Sequence, residues 1–219
     1  MVCVVKATGR QIAEELEMGS RLLPNQNGGF LQVPGLKYFV NTSVPSTVTT
    51  DDKGMFTGVT GARRVYNITV LNSATGEYEP LDLDREYTLA SHNYLIKNGG
   101  DGMNMFMNDY LVADETVADN QAITDYLQYE LGGRVSGAKY SNIRGEGRIT
   151  ISDSEIHIWD GGVVTKEPTV DSEGVMTYTC TICGETKTQS VPRLESSVSV
   201  AIPDTGKNSE NAFYLLLCV

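Results

Sequence analysis

The first apolar run, Val2 to Val5, is short, rich in β-branched residues and continues through Ala7, so "VCVVKATG" is predicted to be a strand closed by Gly9. The period then changes. Ile12 and Leu16, with Ala13 or Met18, recur at helical spacing through "RQIAEELEMGSRLL", and Thr8 stands where a helix N-cap is needed. Pro24 to Gly29 carries turn residues and reads as a loop. "FLQVPGLKYFVN" is the next strand, interrupted at Pro34 as an edge or bulge would be. "RRVYNITVLN" and "YEPLDLDREYTLASHNYL" alternate well enough to be strands, and "SATGEY" between them predicts a hairpin turn. Farther on, Ile123, Leu127 and Leu131 are spaced i, i+4, i+8 in "NQAITDYLQYELGG", an amphipathic helix stopped by Gly132 and Gly133. "GRITIS" closes the pattern as a short strand. Strands and helices mix without βαβ alternation, so the fold class expected is α+β, a mixed sheet with a few packed helices.

The pattern divides the chain. Residues 1–151 hold one mixed domain. Residues 153–194, rich in Thr, Gly and Val, contain the only Trp and a CxxC, and read as a small β module. Residues 195–219 read as a linker and flexible tail ending in "NAFYLLLCV", too short to span a bilayer, which takes about 20 residues. The N-terminus does not have the build of a signal peptide. It opens directly in a strand, as a fragment of a longer chain would.

Composition narrows the functional classes. The 219 residues are 40% hydrophobic with a mean hydropathy of −0.21, ordinary for a globular protein. The net charge of −11 and pI of about 4.6 argue against binding a nucleic acid polymer through its phosphates. Four cysteines, of which only Cys180 and Cys183 form a spaced pair, imply no disulfide framework. There is no HExxH, GxSxG or P-loop, and a Cys3/His92 nucleophile pair has no local support. Two histidines in separate segments cannot assemble a dinuclear hydrolytic centre, so the chain alone is expected to be inactive.

Two glycine-rich stretches carry more. Phe30 follows Gly28 and Gly29, either as an accessible ring at a loop-to-strand junction or as a core residue opening a strand. "NGGDGMNMF" places Gly99, Gly100 and Gly102 around Asp101, with Met103 and Phe106 after them. Such a loop makes a tight turn or lets backbone approach a ligand. Two flat or soft apolar side chains across glycine-lined gaps would suit a planar ring.

Val4 to Glu17, "GGFLQVPGLKY", "RVYNITV", "EPLDLDREYTLASHNYLIKNGGDG" and "RGEGRIT", in that order over residues 2–151, resemble the C-terminal domain of secreted 5′-nucleotidases and UDP-sugar hydrolases. The resemblance implies that this domain holds the base and ribose of a nucleotide. The divalent metals and the phosphohydrolase chemistry would reside in an N-terminal metallophosphatase domain that this sequence does not include, and neither does it include the family's asparagine–glycine–arginine segment. On this resemblance Phe30 is one face of the base sandwich, and Gly100 and Asp101 form the wall and floor. Met103 stands where a second aromatic is usual, with Phe106 as a substitute. Asn108, with Asp109 beside it, stands where a carboxylate meets the ribose hydroxyls.

Residues 157–192 resemble a small module of Gram-positive surface proteins. Cys180 and Cys183 on a tight turn have the spacing of a zinc knuckle, with His157 as a third ligand; a local disulfide or two thiols are the alternatives. "IPDTG" resembles a sortase sorting motif, which implies an extracellular, cell-wall-attached protein. The functional expectation is therefore the substrate-binding part of a 5′-nucleotidase-type hydrolase in nucleotide catabolism. The alternative is a non-catalytic cell-surface adhesion module that retains the fold.

Overall fold

The computed structural model describes residues 1–142, 145–181 and 184–195. The chain divides into two units, Met1–Ile156 and His157–Val219. The fold class is α+β: several small sheets and few helices.

The first unit starts from β1 (Val2–Thr8), whose alternation buries Cys3, Val5 and Ala7. It runs straight into α1 (Gly9–Ser20) through a capping box. Thr8 Oγ1 accepts the Gln11 amide N–H at 3.3 Å, and Gln11 Oε1 accepts the Thr8 N–H at 2.8 Å. Gly9 is required there, because a Cβ would sit 2.1 Å from the Asp82 carbonyl oxygen. Ile12 and Leu16 go into the core as their spacing predicts, together with two carboxylates, Glu15 and Glu17.

Strand β2 covers only Leu36–Asn41; residues 31–35, around Pro34, do not join the ladder. Then come β3 (Val48–Thr50) and β4 (Phe56–Val59), a small hairpin with no clear periodic signal in the sequence. The hairpin expected around "SATGEY" is present as β5 (Val65–Leu71) against β6 (Tyr78–Pro80). The long strand expected beyond it breaks at Asp82–Arg85 and resumes as β7 (Glu86–His92). A short helix α2 (Asn93–Ile96), the glycine loop and β8 (Leu111–Val117) come after it. Strands β7, β1 and β8 form one sheet in that order, with β1 central and antiparallel to both neighbours. A second sheet has the order β6–β5–β2–β9, in which β9 (Ile149–Ser152) lies parallel to β2. Core residues from α1, β1, β2 and β5 join in one cluster with Ile96 and Phe106.

The helix expected from Ile123, Leu127 and Leu131 forms as α3 (Asp119–Asp125) and one π turn over Tyr126–Glu130. Its apolar side is not used: Ile123 is 62% exposed and Leu127 37%. Helix α4 (Gly137–Tyr140) precedes β9.

The second unit is a three-stranded antiparallel meander, β10 (Val163–Lys166), β11 (Gly174–Thr179) and β12 (Thr186–Val191). A bridge between Trp159 and Cys180 extends it.

Candidate functional site

The far end of α1 organises the first glycine segment. Asn27 Nδ2 donates to the Gly19 carbonyl at 2.6 Å, while Asn27 Oδ1 accepts the Gly29 N–H at 3.0 Å. The Asn27 carbonyl accepts the Phe30 N–H at 3.1 Å, which fixes the backbone under a half-buried ring. Asn27 is thus a clamp between a helix end and a loop.

The second segment turns on left-handed backbone. Gly99, Asp101 and Gly102 have φ of 60°, 54° and 81°, and the Gly99 carbonyl accepts the Gly102 N–H at 3.1 Å. Gly102 cannot be replaced without a clash, since a Cβ there would lie 2.2 Å from the Gly54 carbonyl oxygen. Gly100 is small because the Tyr94 ring lies on it, 2.2 Å from where a Cβ would be. Tyr94 Oη accepts the Asp101 N–H at 3.2 Å and donates to Asp101 Oδ1 at 3.4 Å. The ring is 48% exposed and stacks on His92 at 5.7 Å.

The two segments adjoin. A Cβ on Gly29 would come within 3.0–3.2 Å of the Asp101 side chain, so the absence of one lets the loops touch. Arg21 bridges the same region, donating to the Met18 carbonyl at 2.7 Å and to the Asp101 carbonyl at 3.4 Å. One surface therefore gathers an exposed aromatic, a carboxylate and a guanidinium, with the backbone of Gly29, next to Phe30, against the carboxylate. Of the expected site residues, Asp101 and its neighbour Gly100 lie next to Gly29, which precedes Phe30. Tyr94 and Arg21 join them without having been singled out. Tyr94 read as the end of a strand, and only its position on a helical turn reveals an exposed ring.

Other residues expected at this site are placed elsewhere. Met103 is fully buried among Met18, Phe56 and Leu95, and Phe106 is 1% exposed in the main core. Neither presents a face to a ligand; both are apolar side chains folded inward after the turn. A tyrosine at Met103 has no room for its ring and no partner for its hydroxyl. Met103→Tyr is expected to destabilise the first unit by about 1–3 kcal/mol in urea unfolding, with no gain in nucleoside affinity. Asp109 accepts from Gln11 Nε2 at 2.9 Å through both oxygens, and the same nitrogen donates to the Met105 carbonyl at 2.8 Å. That ties Asp109 to the start of α1. Gln11 and Gly19 are eight residues apart on the helix, about 12 Å along its axis, so Asp109 does not converge with Phe30. Asn108 is exposed. Cys3 is fully buried, and its thiol donates to Asp114 Oδ1 at 3.5 Å rather than to an imidazole.

In the second unit the His157 ring stacks on Trp159 at 5.2 Å, with Glu185 Oε2 3.5 Å from its Nε2. Lys187 Nζ lies over Trp159 at 4.5 Å. Cys180 is buried; its N–H donates to the Glu185 carbonyl and its own carbonyl accepts the Gly184 N–H, a tight turn. Cys183 and the whole of 196–219, with the IPDTG segment, lie outside the described residues. Among the described residues no three His, Cys, Asp or Glu side chains converge as a metal site would require, and no helix is long and apolar enough to cross a membrane.

Residues 1–108 match the family model described as 5′-nucleotidase, C-terminal domain. Over 133 residues the chain is 30% identical to the trifunctional nucleotide phosphoesterase protein YfkN of Bacillus subtilis (strain 168), covering 61% of this chain and 8% of that protein. The crystal structure of a 5′-nucleotidase precursor from Thermus thermophilus superposes with a TM-score of 0.53 at 29% identity, covering 70% of this chain and 25% of that one. The chain thus spans a small part of each relative's length.

Proposed function

We propose that the first unit, whose residues 1–108 match the 5′-nucleotidase C-terminal domain model, is the nucleobase- and ribose-holding part of a metal-dependent 5′-nucleotidase-type hydrolase. The contact of Gly29 with Asp101 carries this reading, since it joins the two glycine segments next to Phe30. Phe30 supplies an aromatic face on which any base can stack. The Asp101 carboxylate is exposed and accepts hydrogen bonds from sugar or base donors, held by the Tyr94 hydroxyl. Tyr94 offers the second ring that Met103 does not.

The described residues do not gather a divalent metal site, so no hydrolytic step is derived through them. The metals and the phosphate chemistry belong on this reading to a metallophosphatase domain outside this sequence, an arrangement compatible with the greater length of the relatives. The precursor status of the Thermus relative supports an extracellular location for this protein as well. Cell-wall attachment through the tail and zinc at Cys180, Cys183 and His157 complete the proposal for the second unit.

Titration calorimetry of the purified chain with adenosine and with uridine tests the first unit. Phe30→Ala is expected to weaken binding by about 1–3 kcal/mol, the range for one lost base–aromatic stack. Unchanged affinity in a folded variant would return Phe30 to a packing role. Absence of nucleoside binding by the parent chain would favour the non-catalytic surface module.

A further inference from the structure

Strand β7 is an edge. Among the described residues it has a strand neighbour, β1, on one side only, so every second residue directs an unpaired N–H and C=O outward. Beside that strand lies a cavity of about 450 Å³, lined by Tyr87 to Ser91, by Leu31 to Leu36 and by Val70 and Leu71 of β5. None of Phe30, Tyr94 or Asp101 lines it. Five consecutive strand residues make a slot about 16 Å long.

The cavity contains one charged group out of place. Glu15, from α1, lines it while only 5% exposed; its carboxyl makes no hydrogen bond or ion pair with any described residue and is not sealed from the cavity. The neighbouring Glu14, by contrast, faces Arg63 at 3.8 Å. A buried carboxyl without a partner is costly to ionise unless a cation or donor arrives with the ligand. Burial holds it protonated well into the neutral range, with its pKa pushed up to about 8.

We propose that the β7 edge and the cavity beside it form a docking groove for an extended segment of a partner polypeptide, which adds to β7 as a strand and presents apolar side chains at alternate positions and one lysine or arginine to Glu15. Strand addition satisfies the edge groups with main-chain hydrogen bonds, and the period of two sends alternate side chains into the apolar slot. A small amine could reach Glu15 but would leave the row of edge groups unpaired. The chain's net charge of −11 favours a basic segment over an acidic one. The inference does not depend on nucleoside binding.

The test is a displayed library of random ten-residue peptides selected on the full chain, followed by amide hydrogen exchange with the enriched peptide made synthetically. Enriched sequences are expected to alternate apolar and polar residues around a single Lys or Arg, and the soluble peptide to slow exchange at Tyr87 to Ser91 at least tenfold. Glu15→Gln should weaken the basic peptide at least tenfold and leave a version with norleucine in place of the basic residue unchanged. Exchange on the unmodified chain carries the test if that variant fails to fold. The proposal is overturned by no enrichment, by protection confined to other segments, or by a Glu15→Gln chain that binds the basic peptide equally well. It is equally overturned if n-hexylammonium chloride displaces the peptide at matched concentration, or if the chain alone dimerises and protects the same amides.

Discussion

Arg64→Ala is expected to destabilise the first unit by about 3–5 kcal/mol, the range for removing one partner from a buried ionic network. Arg64 is 3% exposed, and its guanidinium donates at several points to main-chain carbonyls. Nη1 reaches the Ser20 oxygen at 3.1 Å and Leu23 at 2.9 Å, Nη2 reaches Val44 at 2.7 Å and Thr42 at 3.3 Å, and Nε reaches Val44 at 3.1 Å. The Ser20 carbonyl ends α1, where a helix leaves acceptors unsatisfied and favours a cation, and Leu23 lies in the turn that follows. Glu17, 1% exposed, accepts the Val65 N–H at 2.8 Å beside it. Truncation to Ala removes the donors of these carbonyls, each costing about 1–3 kcal/mol if left unmade. Arg64→Lys should recover less than half the loss, because a single ammonium cannot spread donors over carbonyls on both sides of a planar fork. Urea unfolding followed by circular dichroism gives both values. A loss under about 1 kcal/mol for the Ala variant would mean that the carbonyls find other partners.

Arg64 also shows where reading the sequence stops. In "RRVYNITVLN" two adjacent arginines open an expected strand, and nothing periodic marks the second as buried. The β1–α1 corner was legible because its signals are local: an apolar run, Thr8 and Gln11 at capping spacing, then Ile12 and Leu16. The β5–β6 hairpin was legible for the same reason, its turn chemistry lying within a few residues. Around the glycine loop, spacing identified the turn but not the direction taken by the apolar residues beyond it. Met103 and Phe106 are three apart, and only the placement of Met18, Phe56 and Leu95 decides that Met103 turns inward. Helix α3 is the reverse case. The spacing of Ile123 and Leu127 marks a helix, yet it says nothing about whether another surface covers the stripe.

The second large effect is a dependence of stability on pH centred on Glu15. Burial raises its pKa from an ordinary value of 4.5 to about 8. Below pH 4.5 the carboxyl is protonated in the folded and the unfolded chain alike, and the group favours neither. Between pH 4.5 and 8 the folded chain retains a proton that the unfolded chain has released, so each step upward in pH draws the equilibrium towards unfolding. Stability is therefore greatest at the acidic end and lost as pH rises through the folded pKa. At about 1.4 kcal/mol for each pH unit, the accumulated loss is on the order of 4 kcal/mol by about pH 8. The titratable neighbour is Tyr38 on β2, whose phenol is pushed up first by burial and then by the Glu15 carboxylate, and so stays protonated throughout. Burial also raises Glu17, adding a slope of the same sign, so the informative quantity is the difference between two chains. Glu15→Gln keeps the shape and removes the titration. Urea unfolding at about pH 5 and about pH 8 should find the variant close to the parent at the lower pH and more stable by several kcal/mol at the higher. Parallel stability curves for the two chains across that interval would show that Glu15 ionises in the fold without cost, as a carboxylate reached by water would. A bound segment bringing a lysine or arginine to Glu15 would reverse the slope, because the ionised carboxylate would then have its partner.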